Sequence, residues 1–189
     1  MKKDSGFTII ELMVTISLAA IVAAVAIPSM QGLIARNQIT SANNELLSAI
    51  MYARSEAVLR GVPVRVCNSN TTTASSTASV VCSTDNSWAS GWIVFVDADG
   101  NDTRATTGTT EPVLRVFTNT SNTITITPAT GNARGVVYDR TGRAAGVPAS
   151  GSHTTTGNTF TTCSTKLAEG RVLSVSLSGR ASTAKKTPC

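Results

Sequence analysis

A chain of 189 residues with 41% apolar and 14% charged residues has enough hydrophobic material for one domain with an appendage, and too little charge for a disordered polyelectrolyte. Sixteen Lys plus Arg against eleven Asp plus Glu give a formal charge of +5, with a single His. Four Cys, none in a C-x-x-C spacing, favour two disulfides over a zinc site, so an oxidising compartment is expected and a cytosolic enzyme is the weaker reading.

After a polar leader, Met1 to Gly6, the stretch Phe7 to Ile27 is almost unbroken apolar sequence, interrupted by Glu11 and a few hydroxyl residues. As a helix its 21 residues measure about 32 Å, against about 30 Å of bilayer hydrocarbon, so the segment can cross a membrane. Lys2 and Lys3, opposed only by Asp4, place Met1 in the cytoplasm and export everything beyond Ile27. An ordinary cleaved signal peptide competes with this reading, because Ala24-Val25-Ala26 supplies a small-x-small cleavage pattern. Two features oppose it. The apolar run exceeds the roughly 7 to 15 residues of a signal core. Glu11, near a helix centre in lipid, would cost about 3 kcal/mol that a disposable signal has no reason to carry.

The residues Gly6-Phe7-Thr8-Ile9-Ile10-Glu11-Leu12, after a six-residue basic leader and before an apolar helix with Pro28 just past it, resemble the class III signal of type IV pilins and type II secretion pseudopilins. Leader length, Gly, Phe, Glu at the fifth mature position and Pro at the twenty-second all agree. The resemblance implies that a prepilin peptidase cuts between Gly6 and Phe7 and methylates the new Phe7 amine. It also implies that Glu11 pairs with the Phe7 amine of a neighbouring subunit during assembly. A membrane-buried carboxylate is tolerable chiefly beside a neutralising cation, which agrees.

Beyond Pro28 the pattern becomes amphipathic: Ile39, Ala42, Leu46, Ala49, Ile50, Ala53 and Ala57 recur at helical spacing, predicting a helix from about Gln31 to Arg60. Pro28 is expected to kink or locally melt the junction with the membrane segment, and Gly61 with Pro63 to stop the helix. From Val62 onward the period becomes two. Strands are expected at Val62 to Cys67, Trp92 to Val96, Val113 to Phe117, Thr123 to Thr127, Gly135 to Tyr138, Thr159 to Cys163 and Arg171 to Leu177. The fold class is therefore α+β: a long N-terminal helix packed on an antiparallel β-sheet head. Four parts follow along the chain: leader 1–6, membrane and assembly helix 7–27, amphipathic helix 28–61 and β-rich head 62–189.

Ala53-Arg54-Ser55-Glu56-Ala57 leading to Val64-Arg65-Val66-Cys67, then Gly91-Trp92-Ile93-Val94-Phe95-Val96-Asp97 and the late Gly179-Arg180, resemble the GspH/FimT/FimU minor-pilin group. The resemblance spans most of the chain. It implies a pilin-like fold and a minor subunit that helps prime a pilus and joins tip subunits to the shaft, with other pilins and, before assembly, inner-membrane lipid as partners. A GspH-type pseudopilin of type II secretion is an alternative within the same resemblance.

Four cysteines allow three pairings, of which Cys67 with Cys82 and Cys163 with Cys189 join sequence neighbours. Their loops hold 16 and 27 residues counting both ends, worth about 3 and 3.5 kcal/mol in the chain-entropy model. No catalytic residue is expected: His153 sits in a small-residue loop with no nucleophile elbow or triad framework around it. Asp97-Ala98-Asp99-Gly100-Asn101-Asp102 invites a calcium reading. However, the EF-hand template needs Gly where Asp102 stands and Glu where Gly108 stands, so a strand-ending Asp-Gly turn is the better reading, and neither metal nor other cofactor is expected.

Charge divides the head. Cys163 to Cys189 carries +4 through Lys166, Arg171, Arg180, Lys185 and Lys186 against Glu169, whereas Asp85 to Glu111 carries −4. Basic ends are most often solvated or dock an acidic partner, and can also hold nucleic-acid phosphates. DNA-uptake members of the FimT group carry a G-R-x-R tail motif that binds DNA. Here Gly179-Arg180-Ala181-Ser182 lacks the second Arg, with only Lys185 and Lys186 to compensate and no tail aromatic to stack a base. Arg171, Arg180, Lys185 and Lys186 are thus candidates for binding a partner protein or, as the second choice, duplex DNA.

Overall fold

The computed structural model of the chain describes residues 7–85, 87–104, 110–119, 121–129, 134–147 and 158–189, with the side chains of 27–29 and 147 set aside. One helix, α1 (Ile9–Arg60), runs through both halves that the sequence distinguishes, about 78 Å in all. Thr8 caps its start by accepting the Glu11 amide at 3.3 Å. Gly61 ends it in the left-handed region at φ +67°, its amide donating to the Ala57 carbonyl at 3.0 Å. The helix is continuous through residue 28, so the junction does not melt.

Nothing among the described side chains before Ala35 is buried; from there Ala35, Ile39, Ala42, Asn43, Leu46, Ala49, Ile50, Ala53 and Ala57 form one buried stripe. Five of these nine are alanines, which lets the helix backbone lie close to the strands. The strands are β1 (Val64–Asn68), β2 (Gly91–Val96), β3 (Val113–Thr118), β4 (Ile124–Pro128), β5 (Gly135–Tyr138), β6 (Ala144–Val147), β7 (Asn158–Ser164), β8 (Leu167–Val175) and β9 (Ala181–Lys186). They make two antiparallel sheets where the sequence suggested one: β3-β2-β1-β5-β6 and β4-β7-β8-β9, with α1 against both. Trp88, from the β1–β2 connection, fills the seam between the sheets, its ring 4.9 Å edge-on from Phe160 of β7.

Sheet burial explains which strands were legible. β4 and β7 alternate, one face on the core and one outward. β1 and β2 are buried at every residue, because the second face of their sheet is covered by the segment that follows β1: Val80 and Cys67 join Ile93 and Phe95 in a small second core, held by the Cys67–Cys82 disulfide. The other bond is Cys163–Cys189; the Cα separations are 5.6 and 5.8 Å. Together with the Cys189 amide donating to Ala168 at 2.8 Å, it ties the end of the chain onto β8.

Leu46 is fully buried at the centre of the helix stripe. Leu46→Ala should destabilise the head by about 2–5 kcal/mol, since the sheets on either side cannot collapse into the space. Urea unfolding followed by tryptophan fluorescence reads the loss.

Candidate functional site

Two surfaces carry the residues singled out above. At the N-terminus Gly6 lies outside the described residues, and Phe7 is 80% exposed. Glu11 is the third residue of α1, in its first turn, rather than near a helix centre. The helix dipole and the free first-turn amides favour a carboxylate there, so its cost in lipid is smaller than a mid-helix position implies. Thr8 and Glu11 also stand at capping-box spacing. Every large apolar side chain described from Phe7 to Val25 is more than half exposed, so this half of α1 has no protein cover of its own.

The second surface is a cleft of about 540 Å³ between the start of the buried helix stripe and the tail hairpin. Ile39, Thr40 and Gly170 line it together with Arg36, Arg171, Lys185 and Lys186, against the single carboxylate of Glu169. Register builds it: β8 pairs with β9 so that Arg171 faces Lys185 and Gly170 faces Lys186, while α1 lies across β8. Arg171 Nε donates to Thr40 Oγ1 at 3.3 Å. Arg36 and Glu169 pair at 3.3 Å, but both are more than half exposed, so the bridge adds little and leaves both available.

Arg180 is not in this cleft. It follows the β8–β9 turn at the opposite end of the hairpin, lining a separate shallow depression with Asn158, Ser176 and Ser182. Five strand residues, about 17 Å, separate it from Lys185. Arg54 anchors that end, donating to the carbonyls of Gly142 and Ser178 at 3.1 Å each. Gly179 is structural: at φ +80° its added Cβ would stand 2.0 Å from the Gly142 carbonyl oxygen. The structure therefore groups three of the four basic candidates and adds Arg36, which no linear pattern links to Glu169, 133 residues away. His153 falls outside the described residues.

Residues 42–179 match the family described as type II transport protein GspH. The chain belongs to the GspH family. Residues 1–27 match the prokaryotic N-terminal methylation motif. Solved structures of the type IV minor pilin FimU from Pseudomonas aeruginosa strain PAO1 share the fold. One is 25% identical, with a TM-score of 0.55, covering 81% of this chain and 94% of that one. A second crystal form, 23% identical with a TM-score of 0.52 and coverage of 79% and 96%, speaks for the fold alone. Two fimbrial proteins of Pseudomonas aeruginosa are 46% identical over 61 residues, 32% of this chain. The chain spans about two fifths, 39%, of the length of these relatives. The GspH family is one of structural pilin and pseudopilin subunits, and its match ends just before β9.

Proposed function

We propose that this GspH-family chain is a minor subunit of a type IV pilus that helps prime assembly and connects tip subunits to the shaft. Prepilin peptidase removes residues 1–6 and methylates Phe7. The subunit then waits in the inner membrane, N-terminus cytoplasmic and head periplasmic, until it enters the filament. The observation that carries this reading is the half of α1 that stands clear of the head, apolar on all sides and bearing Glu11 in its first turn. Such a segment needs lipid before assembly and other pilin helices afterwards. The likeness to FimU favours a pilus over a secretion pseudopilus. Deleting the gene tests this: surface piliation should fall while type II secretion continues, and the converse would establish the pseudopilin reading.

The basic cleft serves in this account as a dock for an acidic surface of a neighbouring subunit. Replacing both Lys185 and Lys186 by Gln should reduce recruitment into filaments several-fold, whereas Arg180→Ala, outside the cleft, should not. Duplex DNA is the competing occupant, favoured by four converging cations. In that case the purified chain in detergent would bind unrelated duplexes, and the double variant would flatten the salt dependence by about two units. Absence of DNA binding at physiological salt is the expected result.

A further inference from the structure

Asp97 follows β2, and Glu111 stands just before β3; the Val96 amide donates to the Pro112 carbonyl at 3.1 Å and closes the connection between them. Closure brings carboxylate oxygens of Asp97, Asp99 and Glu111 within 4.8 Å of one another. Asp97 is 1% exposed, and neither of its buried oxygens accepts a hydrogen bond.

A buried carboxylate without donors is costly unless a cation neutralises it. Three guanidinium groups lie at or near this corner, and none donates a hydrogen bond to Asp97. Arg65, itself fully buried, pairs with Asp102 at 3.4 Å. Arg104 spends its guanidinium on the backbone carbonyls of Ala78, Val80 and Glu111. Arg134 is close enough to Arg65 to repel it. Four carboxylates, Asp97, Asp99, Asp102 and Glu111, thus meet at one end of the sheet.

We propose that Asp97, Asp99 and Glu111 form a calcium site. The donors are all oxygen, which selects a hard cation. Three carboxylates on irregular loop backbone suit calcium, which accepts six to eight oxygens in flexible geometry, better than magnesium, which demands a near-ideal octahedron and keeps several waters. Both departures from the EF-hand template are met in another way. Asp102 already holds the left-handed turn that the template assigns to Gly, with φ +65°. Glu111, three residues beyond the expected position, is returned to the site by the hairpin rather than by loop length. Water completes the coordination, and the bound ion ties Asp99 to the adjoining ends of β2 and β3. The proposal departs from the sequence-based expectation of no metal.

The test uses the full-length chain in detergent, stripped with EGTA and titrated with calcium or magnesium chloride by calorimetry and thermal unfolding. One calcium per chain should bind with a Kd of about 10⁻⁴ M, as in extracellular sites, and raise Tm by several degrees, while equal magnesium does neither. Asp99→Asn, at an exposed position that does not disturb the core, should weaken binding at least about tenfold. Glu111→Gln should do the same, and Glu45→Gln, on the exposed face of α1, should bind as the parent does. No saturable binding up to about 10 mM calcium, equal binding of magnesium, or an Asp99→Asn chain that binds like the parent would overturn the proposal.

Discussion

Glu11→Val leaves the chain inserted in the membrane and cleaved at its leader, yet absent from sheared filaments. In the subunit alone the carboxylate sits in the first turn of α1, where free amides and the helix dipole steady it, and where it has capping-box spacing to Thr8. Inside a filament the surrounding apolar helices remove water, so the carboxylate needs a cation, and the Phe7 amine of a neighbour is the group the assembly account supplies. Losing one partner of a buried pair costs about 3–5 kcal/mol, or more than about a hundredfold in recruitment. Glu11→Gln separates this from capping, because Gln keeps the capping box and removes the charge. Both variants should fail to enter filaments. Recruitment of the Gln variant at the parent level would mean that Glu11 acts as a helix cap.

Gly6→Val should block leader removal, and Gly6→Ala should slow it. A peptidase that must bring its catalytic groups against the backbone between residues 6 and 7 tolerates no bulk at the first of them, and glycine alone adds none. The uncut chain retains Lys2 and Lys3 and has no free Phe7 amine. It should therefore accumulate in the inner membrane and leave the filament fraction, a double loss visible as a mass increase of the leader peptide. Normal processing of the Val variant would place the cut elsewhere.

The helix was readable because its stripe from Ile39 to Ala57 repeats at helical spacing, and each residue of it is buried. Its N-terminal half was readable as apolar but not as a helix beginning at Ile9, so Glu11 was placed too deep. Six strands start within two residues of their expected positions because they carry β-branched residues between Gly, Pro or Asn breaks. β6 and β9 were missed: Ala-Ala-Gly-Val has little β preference, and Ala-Ser-Thr-Ala-Lys-Lys is an edge strand almost wholly exposed, without an apolar face to declare it. The basic candidates were legible as charges but not as a surface. Strand register separates Arg180 from Lys185 and Lys186, and helix packing brings Arg36 to them. In the same way the acidic corner depends on a hairpin that returns Glu111 to Asp97, which spacing along the chain does not reveal.

The central claim, that this chain is a processed filament subunit, is tested most directly by mass spectrometry of sheared surface filaments from cells that express it at native level. The account predicts peptides of the head in that fraction, with an N-terminal peptide that begins at N-methylated Phe7. A chain confined to the membrane fraction, or one whose mature N-terminus is Ile27, would contradict it.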